Sequence, residues 1–219
     1  MSKILESHGV PPELLSVVLV ESCFKRDASC RGAGGYWQML AATARKMGLR
    51  VDRWVDERLD PVKSTEAAAR YLRSFYDQYH SWDLALAAYN AGSGPVTRAM
   101  QRSGADDFWE LARRGRLPHR TREYVPKVLA AVSVMRDLEE YRAERSRYFK
   151  AYSCESIDVN ASLDLRQVAR WIDVPLEDLR DLNPSLRLDR LPPDEGGHLN
   201  LPSGTREKFA LAYKEYFRK

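Results

Sequence analysis

Between Leu14 and Val20 every residue except Ser16 is leucine or valine. Pro11 and Pro12 ahead of this run suit the first turn of a helix, where a missing N–H costs nothing. A helix with almost no polar face cannot lie on a protein surface, so other elements of the chain must cover it on all sides. The run closes on Glu21, Ser22 and Cys23, and then come Gly32, Gly34 and Gly35, which do not continue a helix cheaply. An acidic residue therefore ends a buried apolar helix.

A carboxyl placed there loses solvation in its charged form, and its pKa should rise. A carboxyl so raised is a proton donor near neutrality. Cleavage of a glycosidic bond needs such a donor, because the leaving oxygen departs poorly until it is protonated. For a lone Glu the commoner case is a solvated helix-terminal carboxylate, so its context has to decide.

The rest of the first two thirds reads as helices with short breaks. Asp60 and Pro61 make an N-cap and first-turn pair for a helix whose core face is Ala68, Leu72, Phe75 and Tyr79. The stretch WDLALAAYNAGSG (82–94) predicts a small-residue helix that other backbone can approach closely, stopped by Gly92 and Gly94. From Pro126 onward Val128, Leu129, Val132, Met135 and Leu138 predict a last amphipathic helix, running into the charged segment 139–147, which marks a domain boundary. Beyond it, strand formers at 148–154, two helical patterns (Leu165, Val168, Ala169, Ile172, then Leu176, Leu179, Leu182) and HLNLP at 198–202 give a strand, helix, helix, strand order. The expected fold class is mainly α: a helical domain over 1–143, then a small α+β module over 147–219 with a C-terminal helix. A chain of 219 residues can fill one core well and a second one marginally.

Composition excludes several classes. A net charge of +4 from 35 basic and 31 acidic residues is too mild to imply nucleic acid. No stretch approaches the roughly 18 to 20 apolar residues of a membrane span, and the first residues lack signal-peptide anatomy, so a soluble chain is expected. Cys23, Cys30 and Cys154 form no CxxC pair, and neither HExxH nor a phosphate-binding glycine loop occurs, so we expect no metal, no nucleotide and no cofactor. His8, His80, His119 and His198 read as surface or locally satisfied residues, and the arginine-dense run 113–122 as a solvated loop that could meet carboxylates.

Five blocks then occur in order: ESCF (21–24), GAGGYWQ (32–38), Asp60-Pro61, AAYNAGSG (87–94) and TREYVPK (121–127). Each is weak alone; together and in sequence they are specific. They resemble the soluble lytic transglycosylase domain, most closely the membrane-bound lytic transglycosylase D type, over about residues 8 to 135. The resemblance implies a goose-lysozyme-like helical fold and cleavage of peptidoglycan between N-acetylmuramic acid and N-acetylglucosamine. Glu21 matches the family's single catalytic acid, which protonates the glycosidic oxygen and then deprotonates the sugar's 6-hydroxyl, closing a 1,6-anhydro ring. No second carboxylate is required, which leaves Asp27, Asp52 and Asp56 structural. A muramidase of the same fold, or a catalytically idle glycan-binding module, are the alternatives.

The same resemblance puts Gln38, Tyr89, Asn90 and Tyr124 along the sugar cleft, with Trp37 as a core filler beneath it. Tyr36, Met39, Leu40 and Ala41 depart from the family pattern, which bears on substrate preference. The loop from Phe24 to Gly32 is about one residue short, so the family's substrate-facing serine falls on Ser29 counting back from Gln38, or on Cys30 counting forward from Glu21. We place it at Ser29, because glycine turns fix the backbone near the cleft. Cys30 could then pair with Cys23 in an oxidising compartment, and the sequence leaves that disulfide open.

The C-terminal unit resembles a degenerate LysM module through LxxVA (165–169), VxxxxL (174–179), LNP (182–184) and LNLP (199–202), without the usual turn before its first helix. The expected partner is a peptidoglycan glycan strand, met by a monomer in the periplasm or cell envelope.

Overall fold

The computed structural model describes residues 1–137, 154–193 and 196–218. These form two compact units. One holds Met1–Leu49 and the described chain from Pro61 to residue 137; the other holds Arg50–Asp60 and the described chain from Cys154 on. The charged boundary run 139–147, Leu138 and most of the strand formers at 148–154 lie outside the described residues.

The first unit is helical. It opens with α1 (Ser2–Ser7), a 3-10 turn over Pro12–Leu15 and α2 (Ser16–Ser22). Val17 and Val18 are fully buried and Leu14 nearly so, whereas Leu15, Leu19 and Val20 are half-buried, so the apolar run is covered on most of its circumference. Past α2 the glycine block is not a plain loop. It builds a three-stranded antiparallel sheet from β1 (Ser29–Cys30), β2 (Ala33–Gly34) and β3 (Met39–Leu40), in the order β1-β2-β3. Strands of two residues leave no alternating pattern for sequence reading to find.

After α3 (Ala41–Lys46) comes α4 (Pro61–Tyr79), with Pro61 at its first position and the expected face of Ala68, Leu72 and Phe75 buried. Helix α5 (Trp82–Ala91) starts on Ser81, whose hydroxyl accepts the Leu84 amide. Its residues Leu84 to Ala88 are fully buried, because α4, α6 and α8 all pack on it. Gly92, at φ 84°, ends α5, but Gly94 stops nothing: it lies in the first turn of α6 (Ser93–Ser103). One left-handed residue suffices to turn the chain, and the helix resumes at once. A further helix, α7 (Phe108–Arg113), begins on Asp107, whose carboxylate accepts the Glu110 amide at 2.8 Å. The last helix, α8, runs over His119–Arg136 with Pro126 inside it, not at its start. The proline removes one N–H from the ladder, and the apolar contacts of Val125 and Val128, both fully buried, hold the helix through it. Residues 119–122 are thus helix, not solvated loop.

The second unit has a strand, helix, helix, strand order, its first described strand at 154–159 rather than at the 148–154 expected: β4 (Cys154–Val159), α9 (Leu165–Ile172), α10 (Leu176–Leu182), β5 (Gly197–Pro202), then α11 (Arg206–Tyr216). β4 and β5 pair antiparallel, Ile157 opposite Leu199 and Val159 opposite Gly197. Leu165, Val168, Ile172, Leu179, Leu191, Leu199 and Leu201 close the core, with Phe209 of α11 added. Buried Asn183 donates to Leu179 and Asn200 carbonyls and accepts the Asn200 amide, each at 2.8 Å, which ties α10 to β5. The segment Arg50–Asp60 adds to this unit through an antiparallel bridge of Val55 with Leu186 and a 2.8 Å bond from the Asp56 amide to the Ser185 carbonyl.

Candidate active site

Helix α2 delivers Glu21 one residue before its end. Cys23 takes the left-handed conformation (φ 51°) that closes the helix, and its amide bonds the Leu19 carbonyl. The buried Ser22 hydroxyl lies 2.8 Å from the Tyr36 carbonyl and 3.1 Å from that of Val18, and shares its one proton between them. The end of α2 is thereby tied to the glycine block, a role that the sequence reading missed because it used Ser22 only as a helix stop.

The turn after β2 is fixed from two further helices. Trp37 is fully buried, as a core filler should be, and donates its indole N–H to Thr65 of α4 at 3.0 Å. Its carbonyl accepts the Tyr89 hydroxyl of α5 at 2.7 Å. Gln38, at φ 46°, gives both hydrogens of its amide nitrogen to the Ala28 and Gly35 carbonyls, each at 2.8 Å. Any contact from Gln38 to a ligand would therefore use its Oε1.

These elements enclose an open cleft of about 630 Å³. Glu21, Gln38, Tyr89 and Asn90 line it, so four of the six residues singled out from sequence come together. Glu21 is the only carboxyl among the described lining residues. Asn90 accepts the Thr121 hydroxyl at 3.0 Å on Oδ1, which leaves its amide N–H groups for a ligand. Tyr124 is buried behind the cleft wall rather than on it. Among the described residues its hydroxyl is not hydrogen-bonded, yet the Glu21 carboxyl is close enough to act on it electrostatically.

Ser29 is the second of the six that falls off the cleft lining; Cys30, next to it, is on it. Ser29 opposes Gly34 and Cys30 opposes Ala33 in the β1-β2 pair, and successive strand residues point to opposite faces. Counting forward from Glu21 thus gives the cleft residue. Cys23, Cys30 and Cys154 are all free thiols.

Among the polar and aromatic lining residues not singled out from sequence are Tyr71, Arg31 and Arg120. Tyr71 packs its ring on Phe75 and Tyr89 at centroid distances of 4.4 and 5.7 Å, and burial pushes its phenol up. Arg120, hidden in the arginine-dense run, bonds the Asn90 carbonyl at 3.1 Å. Only its place in the first turn of α8, with five helices between it and Glu21 in sequence, could have marked it.

The electrostatics follow from burial. Desolvation raises the Glu21 pKa above the ordinary carboxylate value, against the opposing Tyr124 hydroxyl and Arg120 charge. Desolvation, and then the Glu21 charge, push the Tyr89 and Tyr124 phenols well above 10.0, so both stay protonated donors at any working pH. Asp52 and Asp56 behave as structural groups. Burial would raise them, but Arg50 with the Trp54 and Val55 amides, and Arg58 in the second case, hold them below the usual range.

The transglycosylase SLT domain family matches residues 2–112, half of the chain. The chain belongs to this family. A second family, described as the lytic transglycosylase MltD LysM-like domain, matches residues 153–216. Membrane-bound lytic murein transglycosylase D of Escherichia coli strain K12 is 29% identical over 189 residues, covering 84% of this chain and 41% of that protein. A putative tributyltin chloride resistance protein of Alteromonas sp. strain M-1 is 35% identical over 98 residues, covering 44% of this chain and 47% of its own. The chain thus spans about two fifths to one half of the curated relatives it matches.

Solved structures agree on the fold of this SLT-family chain. An inactive mutant of lytic transglycosylase Slt from Pseudomonas aeruginosa superposes with a TM-score of 0.53 at 24% identity, over 68% of this chain and 26% of that one. A 70-kDa soluble lytic transglycosylase, solved with bulgecin A, gives 0.53 at 21% identity, over 68% and 25%. The lysozyme-like helical fold expected from sequence is the fold found, and among the described residues no helix is long and apolar enough to cross a membrane.

Proposed function

We propose that this chain is a peptidoglycan lytic transglycosylase of the cell envelope, cleaving the β-1,4 bond between N-acetylmuramic acid and N-acetylglucosamine and leaving 1,6-anhydromuramoyl ends. The observation that carries this reading is the single, desolvated carboxyl of Glu21 in an open cleft. A two-carboxylate glycosidase needs its second carboxyl about 5 to 9.5 Å from the first, and no second one lines the described cleft. One group must then serve as both acid and base. Protonated Glu21 gives its proton to the glycosidic oxygen as the bond breaks; the substrate's N-acetyl group supports the cation; Glu21 carboxylate then takes the 6-hydroxyl proton as that oxygen closes on C1. Gln38 and Asn90 orient the N-acetyl group through Oε1 and Nδ2. The Tyr124 hydroxyl steadies Glu21 while it is ionised between the two proton transfers.

Digestion of purified peptidoglycan, with products weighed by mass spectrometry, tests this. Products 18 Da lighter than hydrolytic ones, as an anhydro ring requires, are expected. Reducing ends would make the protein a muramidase, and no release would make it a glycan-binding module.

The substrate contact first placed at Ser29 belongs to Cys30 on this reading. A bulky side chain at the cleft wall blocks the glycan, so Cys30→Phe should lower kcat/KM at least about tenfold and Ser29→Phe less than about threefold. The reverse ranking, read with the same peptidoglycan assay, would return the contact to Ser29.

A further inference from the structure

Several arginines of the helical unit are spent on neighbouring carboxylates. Arg113 and Arg114 both pair with Glu110, and Arg73 pairs with Asp77 at 2.8 Å. The two arginines on the cleft differ. Arg31, exposed on the turn between β1 and β2 at φ 50°, has no hydrogen-bond or ion-pair partner among the described residues. Arg120 makes one bond, to the Asn90 carbonyl, and is otherwise exposed to the cleft. That bond holds its guanidinium over the wall, and the first turn of α8 adds the positive end of a helix dipole beneath it.

The cleft therefore carries two cations against one carboxyl. When Glu21 is protonated, as the first proton transfer requires, neither cation is opposed by an acidic residue among the described lining residues. An arginine fork left with free N–H donors on the wall of an open cleft suits a planar oxyanion.

We propose that Arg31 and Arg120 form a carboxylate-binding subsite of this cleft, which selects glycan bearing ionised carboxylates beside the scissile bond. This rests on the transglycosylase reading for the identity of the glycan. Two sources share the chemistry: the lactyl carboxylate of muramic acid, free where the stem peptide is absent, and the carboxylates of the stem itself. A glycan with neither gains nothing from the two cations.

The test is equilibrium binding to three soluble strand preparations at low salt: peptide-bearing strands, strands stripped of their stems, and strands whose carboxylates have been coupled to methylamine. At least one charged preparation should bind about tenfold tighter than the neutralised one, and the gap should shrink with added salt. Tighter binding of peptide-bearing strands assigns the stem, tighter binding of the stripped strands assigns the lactyl group, and equal binding of both charged forms means that either carboxylate fills the subsite. In Arg31→Gln/Arg120→Gln the gap should fall to within about threefold, and Arg120→Glu should reverse its sign. Equal binding of all three by the wild type, or an undiminished gap in the double variant, overturns the subsite. Digestion of the same strands is followed in parallel. A binding gap without product would overturn the transglycosylase reading and leave the carboxylate subsite standing.

Discussion

Glu21→Gln is expected to lower turnover of peptidoglycan by about three to four orders of magnitude while leaving the fold and the affinity for glycan strands in place. The amide is isosteric with the carboxyl, so packing around the end of α2 does not change. It can neither give a proton to the leaving oxygen nor take one from the 6-hydroxyl, and general acid–base catalysis is commonly worth about 10² to 10⁴ per role. The measurement is release of anhydromuropeptides under substrate saturation, with binding determined separately. Activity within tenfold of wild type would remove Glu21 from the chemistry.

The same residue sets a pH dependence with a definite sign. Its folded-state pKa lies above 4.5, so the folded protein holds the proton after the unfolded chain has lost it. Stability falls as pH rises from the unfolded value through the folded one, and above that the full cost of the buried charge remains. Glu21→Gln, which cannot ionise, should therefore raise Tm at neutral pH and lose that advantage near pH 4. Activity on the wild type should fall along its alkaline limb as Glu21 ionises, because only the protonated form is a donor. Tyr89 and Tyr124 do not contribute to that limb, since burial keeps both phenols protonated.

What the sequence disclosed depended on how local the determining physics was. The largely covered α2 run, the buried face of α4 and the close packing around Leu84 to Ala88 of α5 follow from side-chain type within a few residues, and the structure has all three. The raised pKa of Glu21 was legible from the apolar run it closes, whereas the Tyr124 and Arg120 groups that oppose the rise come from α8, about a hundred positions on. Pro126 and Gly94 misled because a breaker acts only if nothing else holds the helix, and the contacts of Val125 and Val128 are invisible at that range. That Cys30 rather than Ser29 lines the cleft was not legible, because the face is set by the register of two-residue strands. Arg50–Asp60 joins the second unit through residues 185–187, more than 120 positions later, and no local pattern announces such a pairing. Tyr71 and Arg120 reach the cleft on helices α4 and α8, and only their packing on α5 shows it.

The second unit should fail at one backbone position more than at any side chain of comparable size. Gly196 precedes β5 at φ +63°, and a Cβ there would lie 1.8 Å from the Val159 carbonyl oxygen and 2.8 Å from the Ala161 amide nitrogen. Both are main-chain atoms, so no side chain can swing aside. To admit the methyl, β5 would have to part from the end of β4, where Val159 opposes Gly197 and both strands feed the core through Leu199 and Leu201. The left-handed backbone alone costs an alanine about 1 to 2 kcal/mol, and the clash adds to it, so Gly196→Ala should cost about 3 kcal/mol or more. Gly204 separates the two contributions: its φ is +82° and a Cβ there meets nothing within 4 Å. Gly204→Ala should lose only the backbone part, about 1 kcal/mol. Hydrogen exchange at the Leu199 and Leu201 amides in the full chain reads both variants, and equal losses for the two would mean that the close approach of Gly196 to Val159 does not constrain this unit.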